Sequence, residues 1–117
     1  MRYLALIYGD EGAWESLSKE EQQAVYAEYN AFAQGVGEQL VDGAETAASN
    51  TATTVRVRDG ETSVTDGPFA ESKEQLGGFF VFECGSEDEA LELAKRIPGL
   101  DRGAVVVVQP AYEETAA

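Results

Sequence analysis

A chain of 117 residues, 44% of them apolar, is sized for one domain around one core, here residues 1–117. Its 22 acidic and 8 basic side chains leave a formal net charge of −14, which repels phosphate backbones and anionic bilayers and argues against nucleic acid or a membrane as partner. The absence of histidine removes the commonest general base and metal ligand, so Ser-His-Asp and Cys-His mechanisms are excluded and neither a metal nor another cofactor is expected.

In chain order, the first element is the buried strand "RYLALIY", Arg2 to Tyr8, stopped by Gly9-Asp10. The apolar run is too short for a leader or a membrane span, so a cytoplasmic location is expected. Ser18 and Glu21 form a capping-box pattern, with Leu17 placed to staple the first turn. Val25, Tyr29, Phe32 and Val36 recur at spacings of a single helical stripe, which predicts a helix from about Lys19 to Gln39. "LVDGAETA" reads as a short or irregular strand. "TATTVRVRDGETSVTDG" reads as a hairpin: Val55 and Val57 face one way, Arg56 and Arg58 the other, and Asp59-Gly60 suits a type I′ turn. "GGFFVFEC" is a strand apolar on both faces, and Cys84 at its end is expected to pack rather than react. Ser86 and Glu89 make a second capping box. Ala90, Leu93, Ala94 and Ile97 mark another helix, stopped by Pro98-Gly99. "AVVVVQP" is a last apolar strand, and the tail "YEETAA" is expected to fray.

Strand, helix, strand, hairpin, strand, helix, strand is an α+β plan: a split β-α-β repeated, ferredoxin-like, with an inserted β-hairpin. Both helices are expected on one sheet face. The other face keeps apolar side chains that water does not tolerate, which predicts a homodimer packed sheet to sheet.

The stretches "YLALIYGDE", "TATTVRVRDGETSVTDGPFAESKEQLGGFFVFE" and "EALELAKRIP" with the last strand, essentially the whole chain, resemble the YCII-related family, in its DGPF subgroup. The resemblance implies a dimeric α/β-barrel of ferredoxin-like halves. It also implies kinship with small enzymes acting on aromatic or chlorinated rings through a histidine-aspartate pair. That pair does not carry over to a chain without histidine. The subgroup's frequent location beside bacterial sigma-factor genes implies an alternative: a non-enzymatic regulatory module of a transcription system.

The loop "DGPFAESKEQLGGFF" holds the candidate chemistry. Asp66 opens an Asp-Gly-Pro turn, where its carboxylate either accepts backbone N–H bonds or serves as a general base. Lys73, flanked by Glu71 and Glu74, is a rare cation suited to an anionic ligand. Gly77-Gly78 allows a ligand or another backbone to come close. Tyr8 and Asp10, at the exit of the first strand, are candidate ligand contacts, with Trp14 near the same mouth. Arg56 is a further candidate contact; it and Arg58 otherwise satisfy nearby acids. Taking the first strand and the strand after the loop as parallel neighbours puts Tyr8 and Asp66 at opposite ends of a strand about 20 Å long. On that geometry a second chain is needed to join them. The resulting reading is a small-molecule-binding dimer for a small anionic or aromatic ligand, with carboxylate-dependent proton transfer or lyase-type elimination as its chemistry. A ligand carrier without turnover is a third reading.

Overall fold

In the computed structural model, which describes residues 1–70 and 72–112, six strands and two of the three α-helices follow the anticipated order, and a short helix after the first strand adds to it. Strand β1 (Arg2–Gly9) leads into a one-turn helix α1 (Glu11–Glu15), then the long α2 (Lys19–Val36). Ser18 caps α2: its hydroxyl accepts from the Glu21 N–H, and the Glu21 carboxylate accepts from the Ser18 N–H. The helix gives way to a 3-10 turn at Gly37–Gln39, which the apolar stripe alone does not distinguish from a last helical turn. Strands β2 (Leu40–Glu45), β3 (Thr53–Arg58), β4 (Glu61–Asp66) and β5 (Gln75–Glu83) follow. Helix α3 (Glu87–Ala94) and strand β6 (Val105–Pro110) complete the chain. The Ser86 cap of α3 is formed, but the Glu89 carboxylate accepts from the Gly85 N–H rather than from Ser86, so the reciprocal bond is displaced by one residue. The tail expectation falls largely on residues 113–117, outside those described.

Four strands form one sheet in the order β2-β5-β1-β6, and every neighbouring pair is antiparallel. Strands β1 and β2 are therefore parallel with β5 between them, and β5 and β6 are parallel with β1 between them. Two split β-α-β units interleave, the α+β ferredoxin-like plan that forms each half of dimeric α/β-barrels. This corrects the expected parallel pairing of β1 with β5. Each unit leaves a gap between its own parallel strands, and the strand filling that gap comes from the other unit and runs the opposite way.

Alternation along the strands divides the sheet into two faces. Tyr3, Ala5 and Phe82 point to the helices and are buried with Phe32 and Val36 of α2 and Ala90, Leu93 and Ala94 of α3. Phe80 extends this layer, its ring 5.3 Å from that of Phe32 and stacked at 6.1 Å on Phe82. The opposite face carries Leu4, Leu6, Phe79, Val81, Val105 and Val107 and is covered by no described element; Val105 and Val107 stay more than two-fifths exposed. Gly78 is needed where β2 crosses β5, because a Cβ there would lie 2.7 Å from the Ala44 carbonyl oxygen. The close approach at this glycine is thus made by the chain's own backbone, not by a ligand or a partner.

Strands β3 and β4 stand apart as their own two-stranded sheet. Their turn has positive φ at both Asp59 and Gly60, the type I′ geometry.

Candidate functional site

The antiparallel register sets Tyr8 opposite Leu76 and Gly9 opposite Gln75. The exit of β1 and the entry of β5 therefore meet at one end of the sheet. The expected separation of about 20 Å does not exist, and one protomer brings the two segments together without help. A cleft of about 530 Å³ opens there, lined by Asp10, Glu11, Ser49, Asn50, Asp66, Ser72, Lys73 and Gln75 among others.

Local chemistry explains how the walls are held. Asp10 is the N-cap of α1: its Oδ1 accepts from the Gly12 N–H at 2.9 Å and the Ala13 N–H at 3.4 Å. Glu11 clasps the turn before β3, Oε1 accepting from the Ser49 N–H at 2.6 Å and Oε2 from the Ser49 hydroxyl at 2.8 Å. The Asp-Gly-Pro turn is tied down by its glycine: the Gly67 N–H donates to the Ala52 carbonyl at 2.7 Å, and the Thr54 hydroxyl donates to the Gly67 carbonyl at 2.8 Å. Gln75 braces the loop ahead of β5 by donating to the Ser72 carbonyl at 2.7 Å.

Asp66 takes no part in this bracing. Its carboxylate accepts no hydrogen bond from a described residue, so the turn does not depend on it as an acceptor. Lys73 likewise has no ion pair or hydrogen bond with a described residue. An acid and a base thus line one cleft with their polar ends uncommitted. Glu71, between them in sequence, lies outside the described residues.

The other sequence candidates separate. Tyr8 shares the open sheet face with Leu6 and does not line the cleft. Arg56 sits on the far face of the hairpin, its guanidinium 5.0 Å above the ring of Phe69, beside a smaller groove of about 240 Å³. Neither Arg56 nor Arg58 forms an ion pair with a described residue, contrary to the expected pairing with acids. Trp14 packs edge-on against Tyr26, ring centres 5.4 Å apart, rather than covering the cleft. Glu11, Ser49, Asn50 and Gln75 are not singled out by sequence. "AASNTA" carries no periodicity, and only the Glu11 clasp places it at the mouth. Cys84 is buried, and that burial pushes its thiol above the ordinary range. Among the described residues no group of three or more acid, cysteine or histidine side chains is gathered as a metal site would need. No described helix is long and apolar enough to cross a membrane.

Comparison with known proteins agrees with this architecture. The chain is 42% identical over 97 residues to an uncharacterized protein of Rhizobium meliloti (strain 1021), covering 81% of this chain and 78% of that one. In fold it is similar to TftG, the 5-chloro-2-hydroxyhydroquinone dehydrochlorinase of Burkholderia phenoliruptrix AC1100, solved in complex with 2,5-dihydroxybenzoquinone. The TM-score is 0.57 at 16% identity, over 97% of this chain and 96% of that one. The family model described as the YCII-related domain matches residues 1–110, so the chain belongs to the YCII-related family.

Proposed function

We propose that the protein binds a small anionic or hydroxylated aromatic molecule in the cleft at the β1 exit, with Asp66 as proton acceptor and Lys73 as the countercharge. One observation carries this reading: Asp66 and Lys73 line the same cleft, and neither has a structural partner among the described residues. In the same cleft Asp10 and Glu11 spend their carboxylates on backbone and hydroxyl donors, which leaves Asp66 as the available base. A carboxylate and an ammonium group in one cleft suit a substrate that loses a proton while gaining negative charge, as in a lyase-type elimination. The ligand that TftG was solved with, a dihydroxylated quinone, belongs to the chemical class this reading favours. We further place the chain in the DGPF subgroup on Asp66, Gly67, Pro68 and Phe69, and propose that it works as a homodimer whose open sheet faces pack together, in the cytoplasm.

The test is calorimetric titration with 2,5-dihydroxybenzoquinone and a panel of related phenols and ring carboxylates. Asp66→Asn and Lys73→Met should each weaken binding about tenfold or more, with melting temperatures within about 2 °C of the parent. Binding that is indifferent to both substitutions would show the loop to be scaffold.

A further inference from the structure

The hairpin is an unusual object in a single protomer. Its register pairs Val55 with Val64, Val57 with Thr62 and Thr53 with Asp66, so three valines and Asp66 share one face. That face is open: Val55, Val57 and Val64 are 65%, 64% and 68% exposed. Two six-residue strands with no third strand are marginal in water and need something to pack on. The whole protomer carries the same signature. Its radius of gyration is 16.3 Å, against roughly 13 Å for a compact domain of this length. It exposes 8309 Å², about 2,100 Å² above the scaling for a monomer of its mass. Obligate homodimer interfaces bury from about 2,000 to more than 5,000 Å² in total, shared between the two partners.

We propose that a second copy of this chain covers the valine face of the hairpin and in doing so roofs the cleft of Asp66 and Lys73. This rests on the sheet-to-sheet pairing proposed above and extends it: the hairpin is an arm that holds the partner, and the cleft is complete only in the pair. Two observations select a second copy as the occupant. The surplus area is of the order that one side of a large homodimer interface removes from water. The chain has two unpartnered apolar surfaces, the open sheet face and the hairpin face, and a two-fold pair removes both from water at once. Asp66 connects the two surfaces. It ends the valine face and lines the cleft, so whatever lies on the valines reaches the mouth of the site.

The experiment uses the full chain with Val57→Glu and, on the sheet face, Leu6→Glu. Assembly is followed by sedimentation across a dilution series. Cleft access is followed by the rate of Lys73 acetylation with acetic anhydride, read by mass spectrometry against Lys95, which caps the C-terminal end of α3 with its side chain 70% exposed. The parent should be dimeric. Val57→Glu should weaken the dimer about tenfold and acetylate several-fold faster at Lys73, with Lys95 unchanged. In the parent, Lys73 labelling should slow as concentration rises through the dimer transition, a readout independent of how any variant folds. If the parent and Val57→Glu associate alike and label alike while Leu6→Glu is monomeric, the hairpin proposal is overturned and the sheet pairing stands. A parent that remains monomeric at all concentrations overturns both. Dimers in which Lys73 labels at the same rate above and below the transition overturn the roofed cleft. Ligand binding through Asp66 and Lys73 is decided separately, by the calorimetric titration of their variants.

Discussion

Asp66 and Glu11 line the same cleft in opposite roles. Glu11 is a strut: both its oxygens hold Ser49, and the turn leading to the hairpin hangs on them. Asp66 holds nothing described. Glu11→Ala should therefore cost about 1–3 kcal/mol in urea denaturation, because two donors lose a charged acceptor. Asp66→Ala should stay within about 0.5 kcal/mol, as an exposed substitution without partners does. Equal losses would mean that the Asp66 carboxylate braces the turn after all. Cys84 makes the contrary case of a reactive residue type made inert: buried and with its thiol pushed up, it should react with a disulfide reagent only as fast as the protein unfolds.

At the scale of the element, α2 shows local chemistry acting alone. Its reciprocal cap needs only residues 18 to 21, and Ser18→Ala should cost about 1 kcal/mol. The bonds from Ser18, backbone first and hydroxyl second, lower the Glu21 carboxyl below its ordinary range. A depressed folded value means that this contribution is present above the unfolded pKa and is lost as pH falls through the lower, folded one. NMR titration should place the Glu21 midpoint below that of a free glutamate, and Ser18→Ala should bring it back toward that value. Strand β5 obeys a longer-range rule. Gly78→Ala would set a methyl against the Ala44 carbonyl and should cost about 1–3 kcal/mol, with hydrogen exchange rising along β2 first.

For the whole molecule, the governing conflict is between charge and uncovered apolar surface. A net charge of −14 pushes two copies apart, while the open sheet face and the hairpin valines draw them together. On the proposed pairing, salt should tighten the dimer by screening the repulsion, with sedimentation showing a lower dissociation constant near roughly 0.5 M salt than in dilute buffer, where the Debye length is many times longer. The opposite trend would mean that cross-chain ion pairs, not apolar burial, hold the pair together.

What the chain announces by itself is whatever neighbouring residues decide among themselves. The Ser18 cap, the stripe through Val25, Tyr29, Phe32 and Val36, the Asp59-Gly60 turn and the alternation of valines and arginines in β3 act within a few residues, so they are legible in order along the sequence, whereas α3 ends at Ala94, ahead of the Pro98-Gly99 stop that the sequence suggests. Even the ferredoxin-like plan follows, because it is set by the succession of those elements. The site is different. Residues 10–12, 49–50, 66–68, 72–73 and 75 converge only because β5 enters the gap between β1 and β2 and runs antiparallel to β1, a pairing that no local pattern encodes. Strand direction decided which loops share an end of the sheet, and with it that Asp10, Asp66 and Lys73 line one cleft while Tyr8 and Arg56 stand outside it. Whether an acid serves a turn or remains available is likewise a matter of which N–H groups come within reach, and those positions exist only once the chain has folded.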